Sequence, residues 1–363
     1  MAPTARAERP RRAHRAATRH GLLLAVGAAL ALAACGSPTT PDVTVVTQAP
    51  TIEPAKGAVP APEVPPTWPL TGVAGEPDPR PAIAVKIENT SSARPQSGLD
   101  QADVVWETIV EFEVSRFIAV FHSQVPEEVG PVRSVRPMDP LVVSPLGGLL
   151  VFSGGQPGIL DLVAQSGVQV VSHDAGAPGL YRISSRSAPH NVYGTPQTWW
   201  DAAEAGRTAP PEQFAFARTA ERATAATDGS PASTLAFRLS GASSPTWTWD
   251  GASGTWLRAE GSTPATVASG QRISAVNVVS VVAGHPDSGF GAQGGAPVPT
   301  YELVGSGEAT LATGGKTVAV TWEKTAADAP LRLLMPDGSP ARLAPGTTWV
   351  ELVPAGTGSL TVS

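Results

Sequence analysis

Apolar residues alternate along Ala82-Ile83-Ala84-Val85-Lys86-Ile87-Glu88, placing Ile83, Val85 and Ile87 on one face. A period of two predicts a strand, and the turn-forming residues Asn89 to Ser92 close it. Val104 to Val110 and Phe117 to Phe121 are two further β-rich runs, and their connection through Glu111, Glu113 and Ser115 suits a hairpin or a short crossover. Leu149-Leu150-Val151-Phe152 is apolar on both faces, as a central strand is. It leads through Ser153-Gly154-Gly155 into an apolar-periodic segment at Ile159, Leu160, Leu162 and Val163. Strand, glycine turn, helix is an α/β pattern. A second helix is predicted over Pro196 to Ala205, packed down by Trp199 and Trp200.

Beyond an Ala/Thr-rich joint the pattern changes. Short β-type runs (Thr234 to Leu239, Thr246 to Trp249, Thr255 to Arg258, Val276 to Val282, Tyr301 to Val304, Thr317 to Trp322, Trp349 to Val353) alternate with Gly, Asp, Ser and Pro turns. Such spacing predicts an all-β sandwich or barrel. The fold class expected is therefore α+β: a mixed α/β domain over residues 76–222, followed by an all-β, antiparallel sandwich or barrel-like domain over 223–363. Trp247, Trp249, Trp256, Trp322 and Trp349 fall in the second part. Alternation alone buries such side chains, and a carbohydrate-stacking face is the sharper alternative.

Composition excludes other classes. With 37 Gly and 37 Pro in 363 residues, long coiled coils and helical solenoids are out. Hydrophobic residues at 42% and charged residues at 15% supply a core and too little charge for a fully disordered chain. The single cysteine, Cys35, rules out an internal disulfide and any zinc site built on several thiolates.

That cysteine stands at a telling place. Arg6, Arg9, Arg11, Arg12, Arg15 and Arg19 precede an uninterrupted small and apolar run from Gly21 to Ala34, the pattern of a secretory signal peptide over residues 1–34. Fourteen residues reach only about 21 Å, short of the roughly 30 Å hydrocarbon core of a bilayer. Leu32-Ala33-Ala34-Cys35 resembles the lipobox of bacterial lipoproteins, which implies cleavage before Cys35 and its diacylation, a two-chain anchor to the extracytoplasmic face of the cell membrane. Residues 35–75 read as the lipidated cysteine and a Pro/Thr-rich tether, able to hold a domain up to about 100 Å from the lipid. Six of the 25 basic and one of the 31 acidic residues leave with the signal peptide, so 19 face 30 and the net charge becomes −11. A surface of that sign repels nucleic acid, which is not expected as a partner.

Catalytic templates are missing: the chain has no GxSxG elbow, P-loop, HExxH or GxGxxG, and His122, His173, His190 and His285 lack metal-ligand spacing. Gly154-Gly155-Gln156-Pro157-Gly158 either aims backbone N–H groups at an anion or makes a tight turn. Arginine usage says more. Between Glu76 and Arg222 lie ten arginines (Arg80, Arg94, Arg116, Arg133, Arg136, Arg182, Arg186, Arg207, Arg218, Arg222) and one lysine, Lys86. A guanidinium is a planar fork that matches phosphate or carboxylate. If the turn-borne ones converge, Arg94, Arg116, Arg133, Arg136, Arg182 and Arg186, with His190 and Asn191, form an anion site. Otherwise they pair with Glu107, Glu111, Glu113, Asp100 and Asp103 to hold long loops.

These same segments carry a family resemblance. Pro81 to Asn89, Arg94-Pro95-Gln96-Ser97-Gly98, Ala102-Asp103-Val104-Val105, Ser115-Arg116-Phe117, Gly130-Pro131-Val132-Arg133-Ser134-Val135-Arg136-Pro137 and Pro189-His190-Asn191-Val192-Tyr193 resemble the successive motifs of the YerB-like lipoproteins. Trp249-Asp250, Trp256-Leu257-Arg258, Val276-Asn277-Val278-Val279, Thr321-Trp322 and Trp349-Val350-Glu351-Leu352 resemble that family's C-terminal half. The resemblance spans about residues 76 to 353 and implies a two-domain envelope lipoprotein of bacteria without an assigned activity. It departs at Glu113-Val114, where the family tends to have a glycine-bearing turn.

The leading expectation is a non-enzymatic binding or scaffolding lipoprotein whose partner is an envelope polyanion, a wall precursor or an envelope protein, with no cofactor. A distant analogy to LytR-type ligases implies the rival: phosphoryl transfer or hydrolysis on lipid-linked wall precursors, Arg133 and Arg136 gripping phosphate while Asp100 or Asp103 holds Mg²⁺. A glycan-binding module built on the tryptophans is the third reading.

Overall fold

The computed structural model describes residues 65–363 apart from Gln293. The expected signal peptide, Cys35 and most of the expected tether lie outside the described residues. Residues 67–74, assigned to the tether by composition, belong to the folded body. Thr67 bridges Ala74, Leu70 is 1% exposed within the core, and the Thr71 carbonyl accepts from Gly346 N–H. Proline-rich flanks disguised one apolar residue with a place to go.

The central element is an eleven-stranded sheet. Its first part contains β1 (Ile83–Glu88), β2 (Val104–Ile109), β3 (Ser115–Phe121), β4 (Leu149–Phe152) and β5 (Gln169–Ser172). From one edge the main path reads Arg332–Leu334, Lys316–Lys324, Gly305–Thr313, Asn277–Ala283, Thr348–Pro354, β2, β3, β1, β4, β5. Both halves of the chain thus supply strands to one sheet, joined where Thr348–Pro354 pairs parallel with β2. The Asn277–Ala283 strand also pairs parallel with Thr348–Pro354, a geometry absent from the antiparallel expectation for the second half. β2 and β3 form the expected hairpin. β1, β2, β4 and β5 all run the same way, because β1 and β2 each oppose β3 while β4 and β5 extend β1 in parallel.

Both faces of this sheet are covered, which is why β1, β2, β3 and β4 are buried throughout. On one face Ala84, Ile118, Val120, Leu150 and Phe152 cluster with α1 (Asp139–Val143) and α2 (Pro157–Ala164) through Val142, Val143, Ile159 and Val163. Pro157 opens α2 at a position where its missing N–H does no harm. On the other face Ile83, Val85, Ile87, Phe117 and Trp349 meet Trp199, Trp200 and the inner side of a second sheet, made from Thr234–Arg238, Pro245–Asp250, Thr255–Glu260 and Ser359–Val362 with two shorter strands. The helix expected at Pro196 to Ala205 stops at Asp201. Tyr301 to Val304 is not a strand. Tyr301 is instead a buried anchor, its hydroxyl donating to the Leu352 carbonyl at 3.0 Å and accepting from Ile109 N–H at 3.2 Å.

The tryptophans settle into this core. Trp247, Trp256, Trp322 and Trp349 are buried and Trp249 is tilted against Trp256, so the carbohydrate-stacking face is not formed by them. Alternation put them between two apolar layers, where truncating one to alanine costs on the order of 3–5 kcal/mol.

Candidate functional site

Because β1, β2 and β4 run in parallel, their carboxyl ends open on one edge of the sheet, the place where ligand sites form in open α/β sheets. Chain segments leaving those ends build a cleft of about 360 Å³ there. Glu88 ends β1, Glu111 and Phe112 follow β2, Arg116 starts β3, and Gly155 and Gln156 follow β4. Arg133, Ser134 and Arg136 come from the loop before α1, and His190 from a more distant loop.

Two carboxylates organise the cations. Glu111 receives Arg136 through Nε at 2.6 Å and also through Nη2, and takes Arg116 Nη2 at 3.2 Å. Burial would raise this carboxyl, but the hydrogen bonds of Arg136 and the charges of Arg116 and Arg136 hold it down at about 2. Glu88, 1% exposed, accepts from Thr90 Oγ1 at 2.8 Å, meets His190 Nδ1 at 2.9 Å and lies 3.5 Å from Arg133 Nε. With that carboxylate on Nδ1, the nitrogen left for other chemistry is His190 Nε2.

Beneath them Lys86 and Asp139 form a fully buried pair at 2.7 Å, and Asp139 Oδ2 also accepts from the Arg136 backbone N–H at 2.8 Å. Burial pushes Lys86 down to about 8 despite Asp139. Arg116 donates through Nη1 to the Ser134 carbonyl at 2.9 Å. Its own pKa is pushed down to about 9, first by burial and then by Arg136, against the pull of Glu111. Positive crowding adds to burial: three guanidiniums share two carboxylates, and the lysine below is already matched by its own aspartate. Arg133 is the least engaged of the three. Its Nη1 donates to the Pro189 carbonyl at 3.1 Å, while its buried Nε makes no hydrogen bond.

Of the eight residues expected at an anion site, Arg116, Arg133, Arg136 and His190 converge. The other four stand outside the cleft. Arg94 holds Asn89 and lies 3.5 Å from Glu260; Arg182 and Asn191 bond each other at 2.6 Å; Arg186 ties down the Ser92 and Pro95 carbonyls. These are loop-fastening roles, so the two readings of arginine usage divide between the two sets. Glu88, Phe112 and Ser134 line the cleft without having been singled out. Glu88 carried a faint signal, a carboxylate at the end of a strand buried on both faces. The glycine turn after β4 answers to packing. A side chain on Gly154 would strike Asp174, and one on Gly155 would come within 2.8 Å of Val135.

Asp103, a candidate metal ligand, immediately precedes β2 at the opposite end of that strand, roughly 20 Å away at 3.3 Å per residue. Its carboxylate accepts from His122 N–H at 2.7 Å, from Ser123 N–H at 2.8 Å and from the Ser123 hydroxyl, so it does not fit a Mg²⁺ site shared with Arg133 and Arg136. A larger surface depression, about 650 Å³ beside Arg222, Asp228, Asp337 and Arg342, sets two cations against two carboxylates and has no cation excess.

Residues 70–209 match the family described as Protein of unknown function (DUF3048), N-terminal domain, and residues 235–350 match its C-terminal domain. YerB of Bacillus subtilis (strain 168), which bears the name of a lipoprotein, is 36% identical over 128 residues, 34% of this chain and 39% of that protein. The matched stretch therefore spans about two fifths of that relative's length. The crystal structure of YerB from Bacillus subtilis is similar with a TM-score of 0.68 at 24% identity, covering 81% of this chain and 99% of that one, a likeness of fold.

Proposed function

This chain belongs to the DUF3048 family, and from that membership and the cleft at the carboxyl edge of its sheet we propose an envelope lipoprotein that binds an anion. Anchoring would run through lipid on Cys35, with the folded body on the extracytoplasmic side. One observation carries the binding reading: among the described residues Arg116, Arg133 and Arg136 together pair with two carboxylates, Glu88 and Glu111, and Arg133 makes a single hydrogen bond, to the Pro189 carbonyl. An incoming phosphate or carboxylate supplies the missing acceptor and the missing negative charge. Titration of the purified chain with inorganic phosphate and pyrophosphate tests it. Millimolar ligand is expected to raise the melting temperature in the wild type, and no rise would overturn the reading.

The hydrolytic reading is favoured by one feature, the orientation of His190 by Glu88 at 2.9 Å. A histidine held through Nδ1 presents Nε2 as a general base beside a guanidinium clamp. Release of phosphate from an aryl phosphate ester, abolished in His190→Ala, is the observation that would establish turnover, and none at micromolar enzyme would remove it.

A further inference from the structure

The mouth of the cleft contains a residue that its cations do not explain. Phe112 is 67% exposed, with φ 61° and ψ 23°, and Glu113 follows with φ 60°. Two successive side-chain-bearing residues in the left-handed region persist only where the surroundings over-determine them. Here both ends of the turn are fastened. Glu111 is drawn inward by Arg116 and Arg136, and the Glu113 carbonyl accepts from Ser240 Oγ at 2.6 Å. The turn thereby buries a carboxylate beneath the cations and leaves an aromatic ring in the open beside them. Glycine would make the same turn without strain and without exposing a ring to water. The fold therefore gives no reason for phenylalanine, whereas the cleft does: Phe112, Val114 and Ala292 line it together with Arg116 and Arg133.

Resting on the anion-binding reading above, we propose that the ligand is a ring-bearing organic phosphate, its phosphoryl oxygens at Arg133 and its ring stacked on Phe112. A phenyl ring and a guanidinium fork lining one cleft suit a planar group joined to an anion, and such stacking is worth about tenfold in affinity.

The experiment is calorimetric titration of the full chain with four probes: inorganic phosphate, phenyl phosphate, glucose 1-phosphate and hexyl phosphate. Phenyl phosphate is expected to bind about tenfold more tightly than inorganic phosphate, with glucose 1-phosphate deciding whether the ring is aryl or sugar. Phe112→Gly, which removes the left-handed strain and so keeps the fold, should erase that advantage and leave inorganic phosphate unchanged. Equal affinity for inorganic and both ring phosphates in the wild type overturns the ring assignment while the anion site stands. An equal gain from hexyl phosphate overturns it as well, since a flexible chain would then serve as well as a ring. Absence of binding by any of the four removes the anion site itself, and this inference with it.

Discussion

Glu107 and Glu351 lie directly opposite each other on adjacent parallel strands, and Arg258 reaches across from the second sheet to take both, at 2.7 Å and 2.8 Å. The guanidinium sits 4.7 Å over the Trp349 ring, and Trp247 Nε1 donates to Glu351 Oε1 at 2.8 Å. Burial and then the charge of Glu107 push the Glu351 carboxyl well above the usual carboxylate range. Its Oε2 is buried and has no hydrogen-bond partner among the described residues. The two halves of the chain are thus joined by two carboxyl groups that share one arginine.

That arrangement makes Glu351 and Arg258 unequal. Glu351→Gln puts a neutral hydrogen-bonding group where burial and Glu107 already disfavour a charge, and is expected to change stability by less than about 1.5 kcal/mol. Arg258→Met strands Glu107 as a buried charge and is expected to cost about 3–5 kcal/mol. Urea denaturation at pH 7 measures both, and equal losses would refute this inequality.

The pH dependence carries a definite sign. Because the folded pKa of Glu351 is raised, its contribution is fully present below the ordinary carboxylate pKa and is lost as pH rises through the folded value. Glu111 acts in the opposite sense. Held at about 2, its contribution is present above the ordinary carboxylate value of 4.5 and disappears as pH falls from there toward 2. Stability followed across pH 2–9 should show both limbs. Glu351→Gln should flatten the limb above 4.5 and leave the acid limb in place.

Phe112→Gly should stabilise the protein. Relief of a left-handed phenylalanine recovers about 1–2 kcal/mol, and the added freedom of glycine in the unfolded chain returns about 0.5–1 kcal/mol of it. A net gain of up to about 1.5 kcal/mol in urea is expected. A loss would mean that the ring holds the fold together, and its exposure would then need another reason.

Local pattern revealed the strands and missed what tertiary packing decides. Ile83, Val85 and Ile87 could be read as one face because their alternation is strict, and Leu149–Phe152 as central because both faces are apolar. Gly305–Thr313 escaped because its residues are small, although it is one of the longest strands. Tyr301 misled in the other direction, its β-type neighbours hiding a hydroxyl that bridges two strands. At the site, arginine usage pointed to turn-borne cations without telling Arg133, which faces the cleft, from Arg186, which fastens a neighbouring turn. That difference depends on where Glu88 and the Ser92 and Pro95 carbonyls come to rest, and no spacing along the chain encodes it.

Arg133 offers the cleanest separation of binding from folding. Its side chain makes one hydrogen bond, to the Pro189 carbonyl, and a 3.5 Å contact with the buried Glu88, which keeps Thr90 and His190 when Arg133 is replaced, so Arg133→Gln should retain the fold at a cost of about 1–3 kcal/mol. Arg136 is unsuitable for the same purpose, because its removal would leave Glu111 buried with only Arg116. Ligand at one hundred times its dissociation constant stabilises a protein by about 2.7 kcal/mol, and most of that increment should vanish in Arg133→Gln. Arg133→Lys keeps the charge and loses the fork, so its increment should fall between the two. Adding salt to 0.5 M should weaken phosphate binding in the wild type more than in Arg133→Gln, since the charge contribution there has already been removed. If Arg133→Gln retains the full increment, the phosphate is held elsewhere and the cation excess at this cleft serves the fold alone.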